Sequence, residues 1–547
     1  MDKTKRFKPL TYGTSGLRGK TDAMTDLECY INTKGFIRFL RERCELDYAH
    51  KDLALGGDLR SSTPRIMSAL TQAIEDSQCK VLFCGNVPTP ALAYYAMCHD
   101  VPSIMVTGSH IPDDRNGIKF TKKTGEILKS DENDILRNVA FAREEEYARP
   151  QHESLFNDKG MFKENHLLPD TGVETEVRNM YIHRYLDIFK EKPLLGKKIV
   201  LYQHSAVGRD LMLVILEGLG ANVIPLGRSS TFIAVDTEKI TNDTMLFLEN
   251  TARRHKPFAI VSTDGDSDRP LLADENGQFV PGDKLGALVS LFLSPDFVAI
   301  PISANDAVVS SLEQKGIEVK QTRIGSPYVI EAMNNKLKDC PDSKVVGWES
   351  NGGFLLGSNW TIYDNFLRAL PTRDAILPII SLLLLAVKEN EAISNLVTIK
   401  LPKRHTLADI IDNKTPGCET YTEEMGKTII KMLSPENIHI YQVNFTEDGV
   451  RIEEGESDPG TVNNLTGIRK KLQRCFTKER GFTEIVSINF LDGIRIVFSN
   501  NDVVHLRPSG NAPEFRLYAT ADTREKVKEI VQKRNELISC IIRKTTE

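Results

Sequence analysis

The sequence predicts an α/β protein: three related α/β domains, with mixed sheets flanked by helices, and a smaller C-terminal α+β domain, set around a central cleft. Three observations predict it. The chain has 547 residues, too many for one hydrophobic core, so three or four domains are expected. A strand–helix–strand pattern recurs three times. The last part of the chain instead alternates apolar and polar residues, as antiparallel hairpins do.

The first copy, "LALGGDLRSSTPRIMSALTQAIEDSQCKVLFCG", ends at Gly85. The second, "IVLYQHSAVGRDLMLVILEGLGANVIPLG", ends at Gly227, and the third, "VAIPISANDAVVSSLEQKGIEVKQTRIG", ends at Gly325. Each opens on a β-rich run, turns through small polar residues, shows helical periodicity and finishes on a second β-rich run. Such a unit favours parallel strands joined by a right-handed crossover. Three copies point to three consecutive domains of common descent. The expected domains are 1–170, 171–284 and 285–400, followed by the α+β domain, 401–547. In that last domain "TEIVSINFLDGIRIVFSNNDVVHLRPSG" alternates around an Asp492-Gly493 turn. A charged segment with helical spacing closes the chain from Asp522, and 401–480, charged and poorly periodic, holds a linker.

Apolar residues make up 40% of the chain and charged residues 27%, as in ordinary soluble globular proteins. A formal charge of −5 with no polybasic tract gives no surface for a nucleic acid backbone. Any anion site must be built locally from a few arginines and lysines. The nine cysteines show no CxxC pair, so they read as small buried hydrophobes kept reduced in the cytoplasm. The opening "MDKTKRFKPLTYG" lacks an apolar run, so no signal peptide is expected. The most apolar stretch, 375–387, is too short for a bilayer and reads as a buried helix. No membrane partner is expected.

Each repeat is followed by an apolar run that empties into a polar loop. "SIMV" leads into Thr107-Gly108-Ser109-His110, "FAIVS" into "TDGDSDR", and "KVVG" into "WESNGG". Loops leaving the carboxyl ends of parallel strands line ligand crevices. In "TDGDSDR", Asp264, Asp266 and Asp268 stand at alternate positions around Gly265. Three carboxylates so close repel one another unless a cation sits among them, and all-oxygen ligation suits Mg²⁺ or Ca²⁺. A calcium-loop reading would take Glu275 as the twelfth position, but Arg269 stands where that loop needs glycine. Arg269 beside the last aspartate suits a phosphate, whose oxygens bind both metal and guanidinium. "RPSGNAPEFR" offers Arg507, Ser509, Gly510 and Arg516, either as a phosphate cradle or as a hairpin loop. "WESNGGF" offers Glu349 and Ser350 to sugar hydroxyls or to a surface turn. Ser109 has His110 and Lys119 near it and the acidic triplet to complete a phosphoryl-transfer site, so a nucleophile is favoured over a turn residue.

Together these motifs resemble the α-D-phosphohexomutase superfamily. "YGTSGLRG", "GGDLRSSTP" and "VPTPAL" are similar to its first-domain segments, and "TGSHIPDDRNGIKF" to its phosphoserine loop. "TDGDSDR" resembles its metal loop, "GWESNGG" its sugar loop and "RPSGNAPEFR" its phosphate loop. The resemblance covers residues from about 10 to 520 in the family's order, most like its bacterial phosphomannomutase and phosphoglucomutase members. It implies that Ser109 is phosphorylated and passes its phosphoryl group to a hexose phosphate, through a hexose 1,6-bisphosphate that also serves as activator. One Mg²⁺ per chain would be held by Asp264, Asp266, Asp268 and an oxygen on Ser109. Arg18 and Lys119 would assist proton transfer, with His110 beside the serine. Lys119 would need neighbouring charges that lower its pKa. Arg507, Ser509, Gly510 and Asn511 would hold the phosphate that does not react, with Arg516 beside them. Two departures stand out. Trp348 takes the place of the family's first glutamate in the sugar loop, where it could stack on a sugar face, and Asn511-Ala512 replace threonine-glutamate. The implied partners are small-molecule hexose phosphates, acted on by a monomer or homodimer. Mannose 6-phosphate and mannose 1-phosphate are the expected pair. The alternatives are glucose phosphates, glucosamine phosphates, a non-catalytic sugar-phosphate sensor and a metal-dependent phosphatase.

Overall fold

The structure is a computed structural model. It describes residues 7, 9–13, 16–47, 50–164, 166, 168–169, 172–238, 240–401, 403–412, 415, 421–436, 439–447, 449–453, 458–508 and 514–546. These fall into two compact units. The larger comprises Met1–Ile300, Leu312–Lys320 and Gly325–Lys400, and the smaller Pro301–Ser311, Gln321–Ile324 and Leu401–Glu547.

The repeat seen in the sequence is a repeat of topology. In the first copy β1 (Asp52–Gly57) leads through α1 (Thr63–Asp76) to β2 (Lys80–Asn86), and then come β3 (Ser103–Val106) and β4 (Arg115–Lys122). The second copy runs β5 (Lys198–Tyr202), α2 (Arg209–Gly218), β6 (Asn222–Leu226), β7 (Ala259–Thr263) and β8 (Pro270–Ala273). The third runs β9 (Phe297–Pro301), α3 (Asp306–Glu313), β10 (Glu318–Thr322), β11 (Val345–Trp348) and β12 (Phe354–Leu356). Within their sheets these strands are ordered β4-β3-β1-β2, β8-β7-β5-β6 and β12-β11-β9-β10, the same arrangement three times, with further strands added beside β4 and β12.

In each copy the third strand pairs parallel to the first: β3 to β1, β7 to β5 and β11 to β9. The fourth strand then returns antiparallel on the third, so each sheet is mixed. The three polar loops are therefore hairpin connections at the carboxyl ends of equivalent strands. Burial explains their apolar runs: β3, β7 and β11 are buried along their whole length, as strands covered on both faces are. Close packing at the strand ends is visible at Gly57, where a Cβ would lie 2.4 Å from Thr63 Cγ2 of the crossover helix. Pro64 in that helix's first turn has no N–H to leave unsatisfied.

The helix Ile376–Glu389, which covers the most apolar stretch, is buried over its first eleven residues. No described helix is long and apolar enough to cross a membrane. The smaller unit holds a seven-stranded antiparallel sheet, including the expected hairpin Ile485–Asn489 to Ile494–Phe498 across the Asp492-Gly493 turn. Its core centres on Phe476, Phe482 and Phe498.

Two expectations are corrected. Cys475 and Cys540 form a disulfide, with Cα atoms 5.7 Å apart, joining the end of the helix Pro459–Gln473 to the helix Arg534–Thr546. The reduced state expected of every cysteine does not hold for this pair. Trp348 is wholly buried. Its indole packs on Gly286 of the helix Gly282–Leu293, where a Cβ would lie 2.5 Å from the ring, and stacks with Phe354 at 6.0 Å. It faces the core and not a sugar.

Candidate active site

The loop β3–β4 carries Ser109 and the loop β7–β8 carries the aspartates. The two meet although 155 residues separate Ser109 from Asp264: Ser109 Oγ donates to Asp264 Oδ2 at 2.5 Å. Ser109 is 1% exposed and adopts a left-handed backbone with φ 55°. Its hydroxyl also lies 3.3 Å from His110 Nδ1.

Asp264, Asp266 and Asp268 are fully buried, and one carboxylate oxygen from each lies within 4.8 Å of the others. Asp264 Oδ1 accepts from the backbone N–H groups of Asp268 and Arg269, both at 3.2 Å. Asp266 Oδ2 accepts from Thr89 Oγ1 and Lys119 Nζ, each at 2.6 Å. Asp268 Oδ2 accepts from Lys119 Nζ at 2.7 Å and Arg373 Nε at 3.0 Å. The remaining oxygens, Asp266 Oδ1 and Asp268 Oδ1, are buried without a hydrogen-bond partner. Arg269 Nε lies 3.7 Å from Asp268 Oδ1, too far for a hydrogen bond, and buried carboxylate oxygens without hydrogen bonds in an acidic cluster fit a hard divalent cation with oxygen ligands. Burial first, then Asp266 and Asp268, push the Asp264 carboxyl well above the usual range. Burial acts the same way on Asp268, but Arg373, Lys119 and Arg269 outweigh it and hold that carboxyl far below its ordinary value. Glu275 hydrogen-bonds Ser394 instead, so it takes no part in a calcium loop.

Lys119 differs from the expectation. Burial lowers its pKa, but Asp266 and Asp268 more than offset that and raise it. Its Nζ donates to both carboxylates. His110 goes the other way: burial, then Arg269 and Arg18, drive its pKa far below the ordinary value. The neutral ring is positioned by Arg269 Nη1, 2.9 Å from His110 Nδ1. Arg18 is half-buried on the strand Gly16–Lys20, opposite Gly117 of β4. Burial, then Arg269 and Arg373, lower its pKa to about 10. Arg18, Arg269 and Arg373 thus gather guanidinium charge around the triplet, as a doubly charged phosphate ester requires.

Glu349 leaves the end of β11, buried, with Oε2 accepting from Arg373 Nη1 at 2.9 Å. Ser350 follows it, half-buried, in the same turn. Arg373 lies in the strand Leu370–Asp374 and ties Asp268 to Glu349. Sequence reading missed it, together with Thr89. The only signals were a threonine inside "VPTPAL" and an arginine inside "LPTRDA".

In the smaller unit Arg507 lies on the strand Val503–Pro508 and Arg516 directly opposite on Phe515–Ala521. Like charges facing each other across strands are destabilising unless an anion or acid offsets them. Asp492 Oδ1 is 3.5 Å from Arg507 Nε, and Glu514 Oε2 is 3.5 Å from Arg516 Nη2. Ser509, Gly510 and Asn511, expected in the same loop, lie outside the described residues.

Three family models match the chain, all described as phosphoglucomutase/phosphomannomutase. Alpha/beta/alpha domain I covers residues 9–146, alpha/beta/alpha domain III residues 281–403, and the C-terminal domain residues 450–537. Among curated relatives, a phosphomannomutase of Salmonella muenchen is 36% identical over 525 residues, 96% of this chain and 94% of that one. A phosphomannomutase of Sinorhizobium fredii is 35% identical over 517 residues, 93% of this chain and 95% of that one. Among solved structures, a phosphoglucomutase/phosphomannomutase family protein from Burkholderia thailandensis shares the fold with a TM-score of 0.64 at 17% identity, covering 96% and 97% of the two chains.

Proposed function

This chain belongs to the phosphoglucomutase/phosphomannomutase family of the α-D-phosphohexomutase superfamily, and on that premise we propose that it interconverts mannose 6-phosphate and mannose 1-phosphate. It is a hexose phosphate mutase, an isomerase. The choice of mannose is supported by the two phosphomannomutases that match almost end to end. The observation that carries the chemistry is the 2.5 Å hydrogen bond from Ser109 Oγ to Asp264, which joins the serine loop to the acidic loop.

In the proposed reaction the bond from phosphorus to Ser109 Oγ breaks as a bond to a free hydroxyl oxygen of the hexose phosphate forms. Lys119 would give a proton to Ser109 Oγ and take up the sugar hydroxyl proton, so that it ends with the charge it began with. The bisphosphorylated hexose then presents its other phosphate, and the reverse transfer restores the phosphoserine. Asp264, Asp266 and Asp268, with an oxygen on Ser109, would hold one Mg²⁺, which supplies Lewis-acid stabilisation of the transferring phosphoryl group. Lys119 Nζ, kept protonated by its two aspartates, would hold the proton delivered at the departing oxygen. Arg18 and Arg269 would bind phosphoryl oxygens, and neutral His110 would orient Ser109 Oγ. Glu349 and Ser350 would accept or donate to sugar hydroxyls. Arg507, Ser509, Gly510, Asn511 and Arg516 would, by their chemistry, bind the phosphate that does not react. We assign the four domains as 1–170, 171–284, 285–400 and 401–547, and place the enzyme in the cytoplasm as a monomer or homodimer.

A phosphorus-31 NMR time course of the Mg²⁺-loaded protein with trace glucose 1,6-bisphosphate tests this, with mannose 1-phosphate and glucose 1-phosphate followed in parallel. The expected result is faster conversion of the mannose ester to the 6-phosphate. Faster conversion of the glucose ester would reassign the sugar. Release of free phosphate with no isomerisation would sink the mutase reading.

A further inference from the structure

Ser109 holds a backbone conformation, φ 55°, that a serine keeps only where its surroundings impose it. Those surroundings centre on Arg60, in the turn that follows β1. Arg60 is 1% exposed, and all five of its guanidinium N–H groups are used. Nη2 donates to the carbonyls of Ser109 at 2.9 Å and Ile111 at 2.5 Å. Nη1 donates to the carbonyls of Pro112 at 2.7 Å and Arg115 at 3.0 Å, and Nε donates to Asp58 Oδ2 at 3.2 Å. Residues 109–115 are thus folded around one buried cation.

Asp58 does more than balance that charge. Its Oδ2 accepts from Thr107 Oγ1 at 2.7 Å, and the same Thr107 oxygen accepts the Ser109 N–H at 2.8 Å. The amide of Ser109 is therefore fixed through Thr107 and Asp58, and its carbonyl directly by Arg60. Space around the serine is closed as well. A Cβ on Gly108 would lie 2.6 Å from Arg60 Cζ, and one on Gly265 would lie 2.7 Å from the Ser109 carbonyl oxygen. The Phe232 ring covers the guanidinium at 4.0 Å.

We propose that Arg60, with Asp58 and Thr107, is the positioning unit of the phosphoryl-transfer serine. It sets the direction of Ser109 Oγ through the backbone on either side of it and touches no substrate. The inference rests on Ser109 carrying the phosphoryl group, as proposed above.

The test uses the full chain loaded with Mg²⁺ and trace glucose 1,6-bisphosphate. Three variants are compared with the unaltered protein: Thr107→Val, which keeps the shape and removes the hydroxyl bridge, Thr107→Ser, which restores it, and Arg60→Lys, which keeps the charge but not five donors. Misplacing a reacting atom by about 1 Å costs about 10²-fold. Thr107→Val is therefore expected to lower kcat about 10²-fold, leave KM within about threefold, and move the phosphoserine phosphorus-31 resonance. Thr107→Ser should recover kcat to within about threefold of the unaltered protein. Arg60→Lys, if folded, should lose at least as much as Thr107→Val. Thr107→Val decides the matter if it is not. Unaltered kcat with an unmoved resonance in Thr107→Val would overturn the proposal, as would equal losses in Thr107→Val and Thr107→Ser. No phosphoserine signal in the unaltered protein would instead remove the functional reading, and the positioning role with it.

Discussion

Arg373→Met is the substitution whose consequence the structure specifies most fully. The Arg373 side chain is 3% exposed and bridges two buried carboxylates, Asp268 at 3.0 Å and Glu349 at 2.9 Å. Methionine keeps most of the apolar stem, is shorter, and carries no donor. Asp268 keeps Lys119, whereas Glu349 loses the hydrogen bond that Arg373 gives it. Two hydrogen bonds to charged groups at about 1.5–3 kcal/mol each and the cost of stranding a buried charge agree on a loss of about 3–5 kcal/mol. Urea unfolding followed by circular dichroism reads this as a lower midpoint at unchanged slope. Arg373→Lys should recover about half of the loss, because one ammonium satisfies one of the two acids well. Saturating Mg²⁺ should stabilise Arg373→Met more than the unaltered protein, since Asp268 has lost a competing positive partner. If Arg373→Met unfolds within about 1 kcal/mol of the unaltered protein, the bridge carries no weight and the reasoning fails.

Ser109→Ala should lower mutase turnover at least about 10³-fold while the melting temperature holds, because the serine's backbone hydrogen bonds survive. Retained turnover would remove Ser109 as the nucleophile. Asp266→Asn should raise the Mg²⁺ concentration for half-maximal rate by at least about tenfold and lower kcat with it, and an unchanged titration would count against the aspartate site. Burial lowers the pKa of both His204 and His505 from 6.5 to about 4. Below about pH 6.5 the unfolded chain therefore binds protons that the folded chain refuses, and stability falls as pH drops, by about 2 kcal/mol per histidine at about pH 5. Urea midpoints that do not fall between about pH 7.5 and about pH 5 would contradict this. Trp348→Phe should cost about 1 kcal/mol and leave the mannose-to-glucose preference within about twofold, and a tenfold change would return the residue to the sugar side.

What the sequence discloses about the site follows from where each signal is stored. Ser109 and the aspartate triplet are legible because their chemistry needs consecutive residues in one turn, so the pattern is local. Arg60, Thr89 and Arg373 are not legible in that way. Thr89 and Asp266 are 177 positions apart, and Arg373 and Asp268 are 105 apart, and nothing near either residue distinguishes it from a solvated one. The same reasoning explains why the pairing of Cys475 with Cys540, 65 positions apart and outside any motif, was missed. Trp348 shows the opposite failure, in which adjacency misleads. It stands one position before Glu349, and along a strand successive side chains point to opposite faces. Two adjacent residues of one motif therefore serve opposite faces. Glu349 reaches Arg373 and the charged cluster, and Trp348 reaches Gly286 and the core. The unusual tryptophan fills the space left by a helical glycine, while the acid beside it keeps its place in the charge network. That makes the departure a matter of core packing, and it leaves the charged cluster to Glu349 and its arginine.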